Sequence, residues 1–303
     1  GTSGCFGCQI HCRHRYVIRE GEYAGTLAEG PEYTSQGAFG AELGCRDFTT
    51  VLVGNHLVNQ LGIDTLETGS MMAWAFECFE KGMITEADTG GLRLEWGNHN
   101  IVPKLIEMIA RREGIGDVLA DGPLRAAARI GKGSEKLLVH VKGMSNLHSD
   151  ERPTPALALG IATGTRGSDH LRSRPAIDLY HLPEEVLRKV YGQPTPYDGP
   201  LTSSYSDYEG KPRMVQWQEM IYMAVDCLGV CKYHTVFLSP NHLNFNEFSR
   251  LLKLNTGMEL TPLEVWDVAE RAYNIERLFN LREGATRKDD WLVDRYFDEP
   301  TPM

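Results

Sequence analysis

A cluster of cysteines at the start of the chain constrains its fold more than any other feature. Cys5, Cys8 and Cys12 follow the spacing C-x2-C-x3-C, and Cys231 lies far downstream. A hairpin with this spacing brings three thiolates within reach of one point, and a [4Fe–4S] cluster takes one more thiolate from elsewhere. Thiolates are soft ligands that favour iron–sulfur clusters or zinc over harder cations. The cysteines therefore predict a metal site that links the start of the chain to a distant segment.

Zinc is the alternative interpretation of the same hairpin. In that case His11 or His14 would be the fourth ligand, and the metal would be structural. The chain has seven cysteines, an odd number that is unevenly clustered. Such a set suits a reduced cytoplasm better than a disulfide framework. Spacing alone leaves both metals open.

Length and charge exclude several classes of function. The chain has 303 residues, enough for one large or two medium domains. Its formal net charge of −10 argues against nucleic acid as a main partner, because phosphate binding needs a basic patch. No apolar run approaches the length of a membrane span, and no secretory signal begins the chain. We therefore expect a cytoplasmic protein with no membrane span. Because the chain opens just before its first metal ligand, we also expect a missing N-terminal domain.

Hydrophobic periodicity and capping signals predict a mainly α fold. The expected helices cover residues 64–79, 100–112, 123–130, 154–163, 184–191, 215–230 and 261–281. Strand signals are weak, and residues 137–141 are the best candidate. Glycines at 131 and 133 interrupt the helical pattern. We therefore expect two helical domains, residues 1–140 and 141–303.

Two short segments share a further pattern. Residues 59–64 and 226–231 both contain Asn or Asp, then a glycine three positions later, then an apolar residue. Each can end a helix at its glycine and direct carboxylate or amide oxygens at one ligand. Such oxygens accept hydrogen bonds from a heterocycle rich in N–H groups. Two ordinary glycine helix ends are the alternative.

Taken together, the order and spacing of several segments resemble the aldehyde:ferredoxin oxidoreductase family, the tungsten–pterin enzymes. These segments are the cysteine hairpin, 30–33, 61–65 with 68–69, 96–98, 110–116, 166–172, 226–231, 280–284 and 287–290. The resemblance covers nearly the whole chain and corresponds to the family's C-terminal two domains. It implies two helical domains packed around a metallopterin and iron–sulfur site. It also implies an N-terminal β-rich domain, absent from this sequence, that covers the other face of the pterins.

The resemblance implies three cofactors. They are a [4Fe–4S] cluster, a tungsten (less often molybdenum) bis-pterin, and Mg as a candidate bridge between the pterin phosphates. Carried over by position, the cluster ligands are Cys5, Cys8, Cys12 and Cys231. The pterin-binding residues are Asn59, Ile63 and Asp64 on one side and Asp226 and Val230 on the other. Arg166 and Arg172 fall where the family places cofactor-binding cations, and surface ion pairs are the alternative for both.

Glu32 and His170 match the family's acid–base candidates near the metal. A carboxylate and an imidazole at a dry metal centre can activate water and move protons while an aldehyde becomes an acid. The resemblance implies that electrons then leave through the cluster to ferredoxin or another low-potential carrier. It is compatible with a homo-oligomer or a larger redox complex.

Three positions depart from the family pattern or add to it. The first pterin turn begins with Asn59, where the family usually has Asp. Val53 stands where some members have the glutamate of a subunit-bridging iron, so we expect no such iron. Cys45 has two interpretations: a buried small apolar residue, or a protein ligand to tungsten. The second would resemble the benzoyl-CoA reductase branch of the family.

Three functions therefore stand at this point. The first is a tungsten enzyme that oxidises a small aldehyde. The second is a tungsten-dependent reductase of an aromatic acyl-CoA. The third is a non-catalytic iron–sulfur or zinc-stabilised module for electron transfer or binding.

Overall fold

The computed structural model describes residues 1–175, 181–236 and 239–300. The chain divides into two compact units. Unit 1 consists of Gly1–Ser149 and Val293–Asp298, and unit 2 of Asp150–Leu292 and Glu299–Met303. The expected mainly α fold is confirmed. The return of a C-terminal segment to unit 1 has no signal in the sequence.

Unit 1 begins with a small antiparallel sheet that the sequence did not predict. Its strands are β1 (Thr2–Ser3), β2 (Arg13–Val17) and β3 (Leu27–Glu29), in the order β1-β2-β3. Thr2 pairs with His14, and Tyr16 with Ala28. The strands are short and mostly exposed, so they lack the alternation that marks a half-buried strand. The sheet makes the cysteine segment a hairpin connection between β1 and β2.

The helices of unit 1 pack around one core. They are α1 (Tyr33–Gln36), α2 (Phe48–Leu61), α3 (Thr65–Glu80), α4 (Val102–Arg111), α5 (Ile115–Leu119), α6 (Pro123–Ile130) and a short C-terminal helix, Arg295–Asp298. A π-helical turn, Gly37–Ala41, follows α1, and 3-10 turns lie at His99–Ile101 and Ser134–Leu137. Residues 137–141 are only partly a strand, which corrects the sequence expectation. The strand is limited to β4 (His140–Val141), which pairs with β5 (Met144–Ser145), because Leu137 belongs to the preceding 3-10 turn and residues 138–139 are irregular.

The N-terminus of α3 forms as its sequence predicts. Asp64 is the N-cap, and its side chain accepts a hydrogen bond from the backbone N–H of Glu67 at 2.7 Å. The buried face of the helix carries Met72 and Phe76, both with no exposed surface. This cap and this face fix α3 against the segment around Ala38.

Unit 2 is built around a long buried helix. Its helices are α7 (Pro155–Thr163), α8 (Glu184–Tyr191), α9 (Lys211–Leu228), α10 (Phe245–Thr256) and α11 (Pro262–Arg282), with 3-10 turns at Lys232–His234 and Arg287–Asp289. The ring of Trp217 on α9 lies edge-on to Tyr191 and Phe245, and Phe245 contacts Trp266. These aromatic contacts join α8, α9, α10 and α11.

No helix among the residues that the structure describes combines the length and the apolar character that crossing a bilayer requires.

A test of the packing in unit 1 uses Gly69 of α3. Glycine to alanine at an exposed helix position gains up to about 1 kcal/mol from helix propensity. Here a Cβ would lie 2.6 Å from the Cα of Ala38, so backbone must move. Because overpacking costs about 1–3 kcal/mol, we expect Gly69→Ala to lower the free energy of unfolding measured with urea. The exposed α2 substitution Gln60→Ala is the control, and a stabilised Gly69→Ala variant would contradict this packing.

A second test uses Glu219, a buried carboxyl on α9. Its Oε1 accepts hydrogen bonds from the hydroxyls of Tyr273 at 3.0 Å and Thr163 at 3.3 Å. Burial raises the pKa of Glu219 to about 7. A raised pKa means that the folded unit 2 favours the protonated acid. The contribution of Glu219 to the free energy of unfolding is therefore fully present below pH 4.5, the ordinary pKa of the carboxyl, and is lost as pH rises through about 7.

We therefore expect Glu219→Gln, which stays neutral, to gain stability relative to the unaltered protein between about pH 5 and about pH 8. Urea unfolding at both pH values measures this difference. Exposed Glu270→Gln on α11 is the matched control. An equal difference at the two pH values would contradict the assignment.

Candidate functional site

The cysteine hairpin forms a tight loop between β1 and β2. The backbone N–H of Cys8 donates to the carbonyl of Cys5 at 3.0 Å, and the Sγ of Cys8 accepts from the N–H of Ile10 at 3.4 Å. Cys5 is exposed, whereas Cys8 and Cys12 are half-buried. The positive φ of Gly7, 71°, makes the reversal possible without a side-chain clash. The loop thus holds three thiols within one short turn.

Cys231 lies in unit 2, directly after the end of α9, and is exposed. Among residues 1–175, 181–236 and 239–300, no group of three or more His, Cys, Asp or Glu side chains is arranged to hold a metal ion. The donor chemistry of the four thiols fits an iron–sulfur cluster. Their assignment as cluster ligands stays a prediction.

The two glycine-containing segments end their helices with the same backbone motif. Gly62 after α2 has a φ of 68°, and Gly229 after α9 has a φ of 67°. The N–H of Ile63 and the N–H of Val230 each donate to the carbonyl five residues earlier, both at 3.1 Å. This is the Schellman arrangement, in which a left-handed glycine satisfies the last carbonyls of a helix. Both glycine helix ends are therefore present. The same geometry also follows α3 at Gly82 and α11 at Gly284, so the two segments are set apart by their polar residues and not by the backbone turn.

The polar residues of the first segment already have local hydrogen bonds. The side-chain amide of Asn59 donates to the carbonyl of Asn55 at 2.7 Å, within α2. Asp64 uses one oxygen to cap α3. Both residues are exposed, so Oδ1 of Asn59 and the second oxygen of Asp64 remain acceptors at the surface.

The first segment lines a cleft of about 440 Å³ within unit 1. Its walls come from the first turn of α3, the end of α4, the loop 119–123 and Gly143. Asp64, Glu67, Arg112 and Asp121 supply its charged groups. Glu67 accepts from the N–H of Ser145 at 3.1 Å and from its hydroxyl at 3.0 Å, and burial raises the pKa of this carboxyl. The cleft combines apolar walls with convergent acceptors, which is typical of a small-molecule site.

One wall of the cleft is fixed by a network of four charges. Arg112 contacts Asp121 at 2.8 Å and Asp117 at 3.1 Å, while Arg129 contacts the same two carboxylates at 2.7 Å each. The arginines hold the pKa values of Asp117 and Asp121 below their usual range. The two cations and two anions compensate one another, so this wall adds fixed dipoles to the cleft and no net charge.

The second segment brings together charges in unit 2. Arg172 lies 3.3 Å from Asp226 and 3.2 Å from Glu276. Lys232 forms an ion pair with Asp226, and its ammonium lies 5.3 Å from the centre of the Tyr222 ring. Arg172 is therefore only one-quarter exposed and is oriented by two carboxylates. A guanidinium held in this way is suited to bind a phosphate.

Arg166 and His170 lie on the loop after α7. Arg166 pairs with Asp169 at 2.9 Å, and Asp169 also accepts from the N–H of Leu171 at 2.8 Å. The Nδ1 of His170 is buried and makes no hydrogen bond to a residue that the structure describes. Burial lowers the pKa of His170 to about 4, with smaller contributions from the positive charges of Arg174 and Lys232. His170 is therefore neutral at neutral pH and can accept a proton.

Glu32 and Cys45 lie in unit 1. Glu32 is the exposed N-cap of α1 and makes no side-chain cap hydrogen bond. Cys45 is half-buried against the core of unit 1, and its Sγ lies 3.7 Å from the carbonyl of Asp47. Unit 1 thus holds the first turn, Glu32 and Cys45, while unit 2 holds the second turn, His170 and both candidate arginines.

Sequence reasoning missed several residues of these sites. Lys232 directly follows Cys231, and its position beside a candidate ligand was the available signal. Glu67 has no site signal in the sequence, although it lines the cleft. Arg112 and Asp121 enter the cleft through the packing of α4 against the loop 119–123, which no local pattern reports.

Comparison with known proteins decides the family. The family model described as "Aldehyde ferredoxin oxidoreductase, domains 2 & 3" matches residues 1–303. The chain belongs to the aldehyde ferredoxin oxidoreductase family. The family is one of oxidoreductases.

Two curated relatives illustrate the range within the family. The tungsten-containing aldehyde ferredoxin oxidoreductase of Pyrococcus furiosus is 34% identical over 301 residues, which cover 98% of this chain and 45% of the relative. The aliphatic sulfonate oxidoreductase, WOR-like subunit, of the same organism is 28% identical over 312 residues, with 98% and 43% covered. The chain therefore spans less than half the length of the curated relatives it matches.

A solved structure supports the fold. The active-site complex BamBC of benzoyl coenzyme A reductase, in complex with 1,5-dienoyl-CoA, matches with a TM-score of 0.77. The match is 23% identical and covers 99% of this chain and 47% of that one. At this identity the likeness concerns the fold alone.

His170 provides a test of the site's electrostatics. A solvated histidine titrates near pH 6.5, whereas the lowered pKa keeps His170 neutral to about pH 4. The contribution of His170 to the free energy of unfolding is therefore fully present above pH 6.5 and is lost as pH falls from 6.5 toward 4. The imidazole NMR resonance of His170 is identified as the one that disappears in His170→Gln. In the unaltered protein we expect this resonance to titrate near pH 4. A midpoint of about 6 or higher for that resonance would show that His170 is solvated.

Proposed function

We propose that this chain is the C-terminal part of a tungsten or molybdenum bis-pterin oxidoreductase that oxidises an aldehyde to a carboxylic acid. Electrons would leave through a [4Fe–4S] cluster to ferredoxin or another low-potential carrier. The observation that carries the proposal is the repeated glycine helix end of α2 and α9. Exposed acceptor residues flank each end, Asn59 and Asp64 at Gly62 and Asp226 at Gly229, and such acceptors suit the N–H donors of a heterocycle.

The cleft of unit 1 supports a pterin at the first turn. A pterin presents several N–H donors along one edge, and Asp64, Glu67 and Asp121 supply carboxylate oxygens in this cleft. The volume of about 440 Å³ is in the range of small-molecule sites. The lining residues therefore fit the group, and Ile63 and Asp64 belong to that lining. Asn59 on α2 keeps the binding role that the resemblance implies.

The charges of unit 2 support the second pterin and its phosphates. Asp226 would accept N–H donors, while Arg172 and Lys232 beside it supply cations that suit phosphate oxygens. Arg166 is exposed and held by Asp169 at the same loop. Mg between the phosphates remains part of this proposal.

When bound, the metallopterin supplies the two-electron redox chemistry, and the cluster passes electrons on singly. The balance is one aldehyde and one water giving one carboxylic acid, two protons and two electrons. The residues of the chain manage the protons. Neutral His170 can accept one of them, and the carboxylate of Glu32 can take the other from water.

Reduction of an aromatic acyl-CoA is the second candidate function. Cys45 favours it, since its half-buried thiol lies on the segment that begins with Glu32 and could serve as a tungsten ligand. This interpretation uses the same turns and the same cluster. Activity separates the two: simple aldehydes with a viologen acceptor for the first, an aromatic acyl-CoA with a low-potential donor for the second.

Metal analysis and EPR test the proposed cofactors. In the anaerobically purified full-length protein we expect about four irons and one tungsten or molybdenum per chain, with an EPR signal of the reduced cluster. Cys231→Ala should lose that signal. Cys227→Ala, at an exposed thiol on the end of the same helix, is the matched control and should keep it.

Two results would contradict the proposal. Zinc alone, with neither tungsten nor molybdenum and no cluster signal, would indicate a structural metal module instead. Equal loss of the EPR signal in Cys231→Ala and Cys227→Ala would contradict the assignment of Cys231 as a cluster ligand, because the loss would not be specific to it.

A further inference from the structure

Unit 1 contains a buried histidine that none of the proposed functions uses. The side chain of His148 is 3% exposed, and its Nδ1 lies 2.8 Å from Oε2 of Glu42. Both ring nitrogens are buried, and neither makes an aligned hydrogen bond to a residue within the described ranges. A buried polar side chain without aligned hydrogen bonds lowers stability, so its presence in a native core calls for a functional explanation.

His148 contacts one segment of unit 1 at three points. Its backbone carbonyl accepts from the hydroxyl of Tyr33 at 3.4 Å. Its imidazole lies against Gly37, where an added Cβ would come within 2.4 Å of the ring. Its Nδ1 meets Glu42, whose other oxygen accepts from the hydroxyl of Ser70 on α3 at 3.0 Å. The segment 33–42 is thus held at its start, its middle and its end by one residue.

The held segment connects two candidate site residues. Glu32 lies immediately before it, and Cys45 lies three residues after Glu42. The N–H of Cys45 donates to the carbonyl of Gly40 at 2.8 Å, and the N–H of Glu42 donates to that of Gly37 at 2.9 Å. A shift of the π-helical turn would therefore move Cys45 with it.

We propose that His148 is a positioning residue for Cys45, acting through Glu42. Nδ1 of the imidazole faces Oε2 of Glu42 at 2.8 Å, and the pair fixes the turn from which Cys45 projects. The role assigned to Cys45 as a metal ligand rests on the proposed function, whereas the positioning itself does not. Removing the imidazole leaves Oε2 of Glu42 half-buried without its partner, so the turn would open toward water.

Three substitutions at His148 separate its two nitrogens. His148→Asn places an amide nitrogen near the position of Nδ1 and keeps a donor for Glu42. His148→Gln places its amide near the position of Nε2 instead. His148→Leu has the same number and branching of side-chain heavy atoms as His148→Asn and removes both polar atoms. Exposed His242→Leu in unit 2 is the control.

The measurement is the alkylation rate of Cys45 by iodoacetamide in the metal-free full-length protein, followed by peptide mass spectrometry. We expect His148→Asn to alkylate as slowly as the unaltered protein. His148→Leu and His148→Gln should alkylate at least about tenfold faster, because a local opening becomes more populated. Circular dichroism checks that each variant is folded, and a general loss of packing would leave Asn and Leu equally affected.

Glu42→Gln keeps the volume of the side chain and removes its charge, so it provides a second route if His148→Leu does not fold. We expect it to raise the alkylation rate of Cys45 as His148→Leu does. Folded Glu42→Gln that alkylates within about twofold of the unaltered protein would overturn the proposal. So would equal rates for Asn, Gln and Leu at position 148.

Tungsten content separates this inference from the proposed function. Bound tungsten that falls in His148→Leu and is restored in His148→Asn would support both. Faster alkylation of Cys45 in a protein that never binds tungsten or molybdenum would support the positioning role and refute the metal role. Bound tungsten with an unchanged alkylation rate of Cys45 in every folded variant would support the metal role and refute the positioning role.

Discussion

The left-handed glycine at the end of a helix is the constraint on which both candidate pterin sites depend. Only glycine adopts this conformation without steric cost, and it turns the chain sharply while satisfying the last carbonyls of the helix. At Gly62 and Gly229 the same turn brings an apolar residue and then Asp64 or Cys231 out of the helix end. The same backbone turn thus presents a carboxylate in one unit and a thiol in the other.

Burial determines what the ionisable groups can do. His170 is kept neutral by burial and by nearby positive charge, whereas burial favours the protonated acids of Glu67 and Glu219. By contrast, the carboxylates paired with arginine stay ionised. The two groups differ because Glu67 and Glu219 are desolvated, whereas Asp117 and Asp121 stay partly exposed and accept hydrogen bonds from arginines.

Local signals predicted the helices well. The caps at Asp64 and Thr261 and the helix Pro123–Ile130 form where capping residues and prolines indicate. The small sheet was missed because its strands are short and exposed. Of the expected strand at 137–141 only His140–Val141 forms, and Leu137 ends a 3-10 turn. The site residues were assigned by resemblance, and their roles as ligands stay predictions.

The sequence alone determined the helical class, the two glycine turns and the family, because each depends on residues that are neighbours along the chain or keep a fixed order. Tertiary structure decided which distant side chains meet. Arg112 and Asp121 reach the cleft beside Asp64, Lys232 and Arg172 converge on Asp226, and His148 reaches Glu42 only through packing. Such contacts depend on how helices and loops approach one another, and no periodicity or motif in the chain encodes that approach locally.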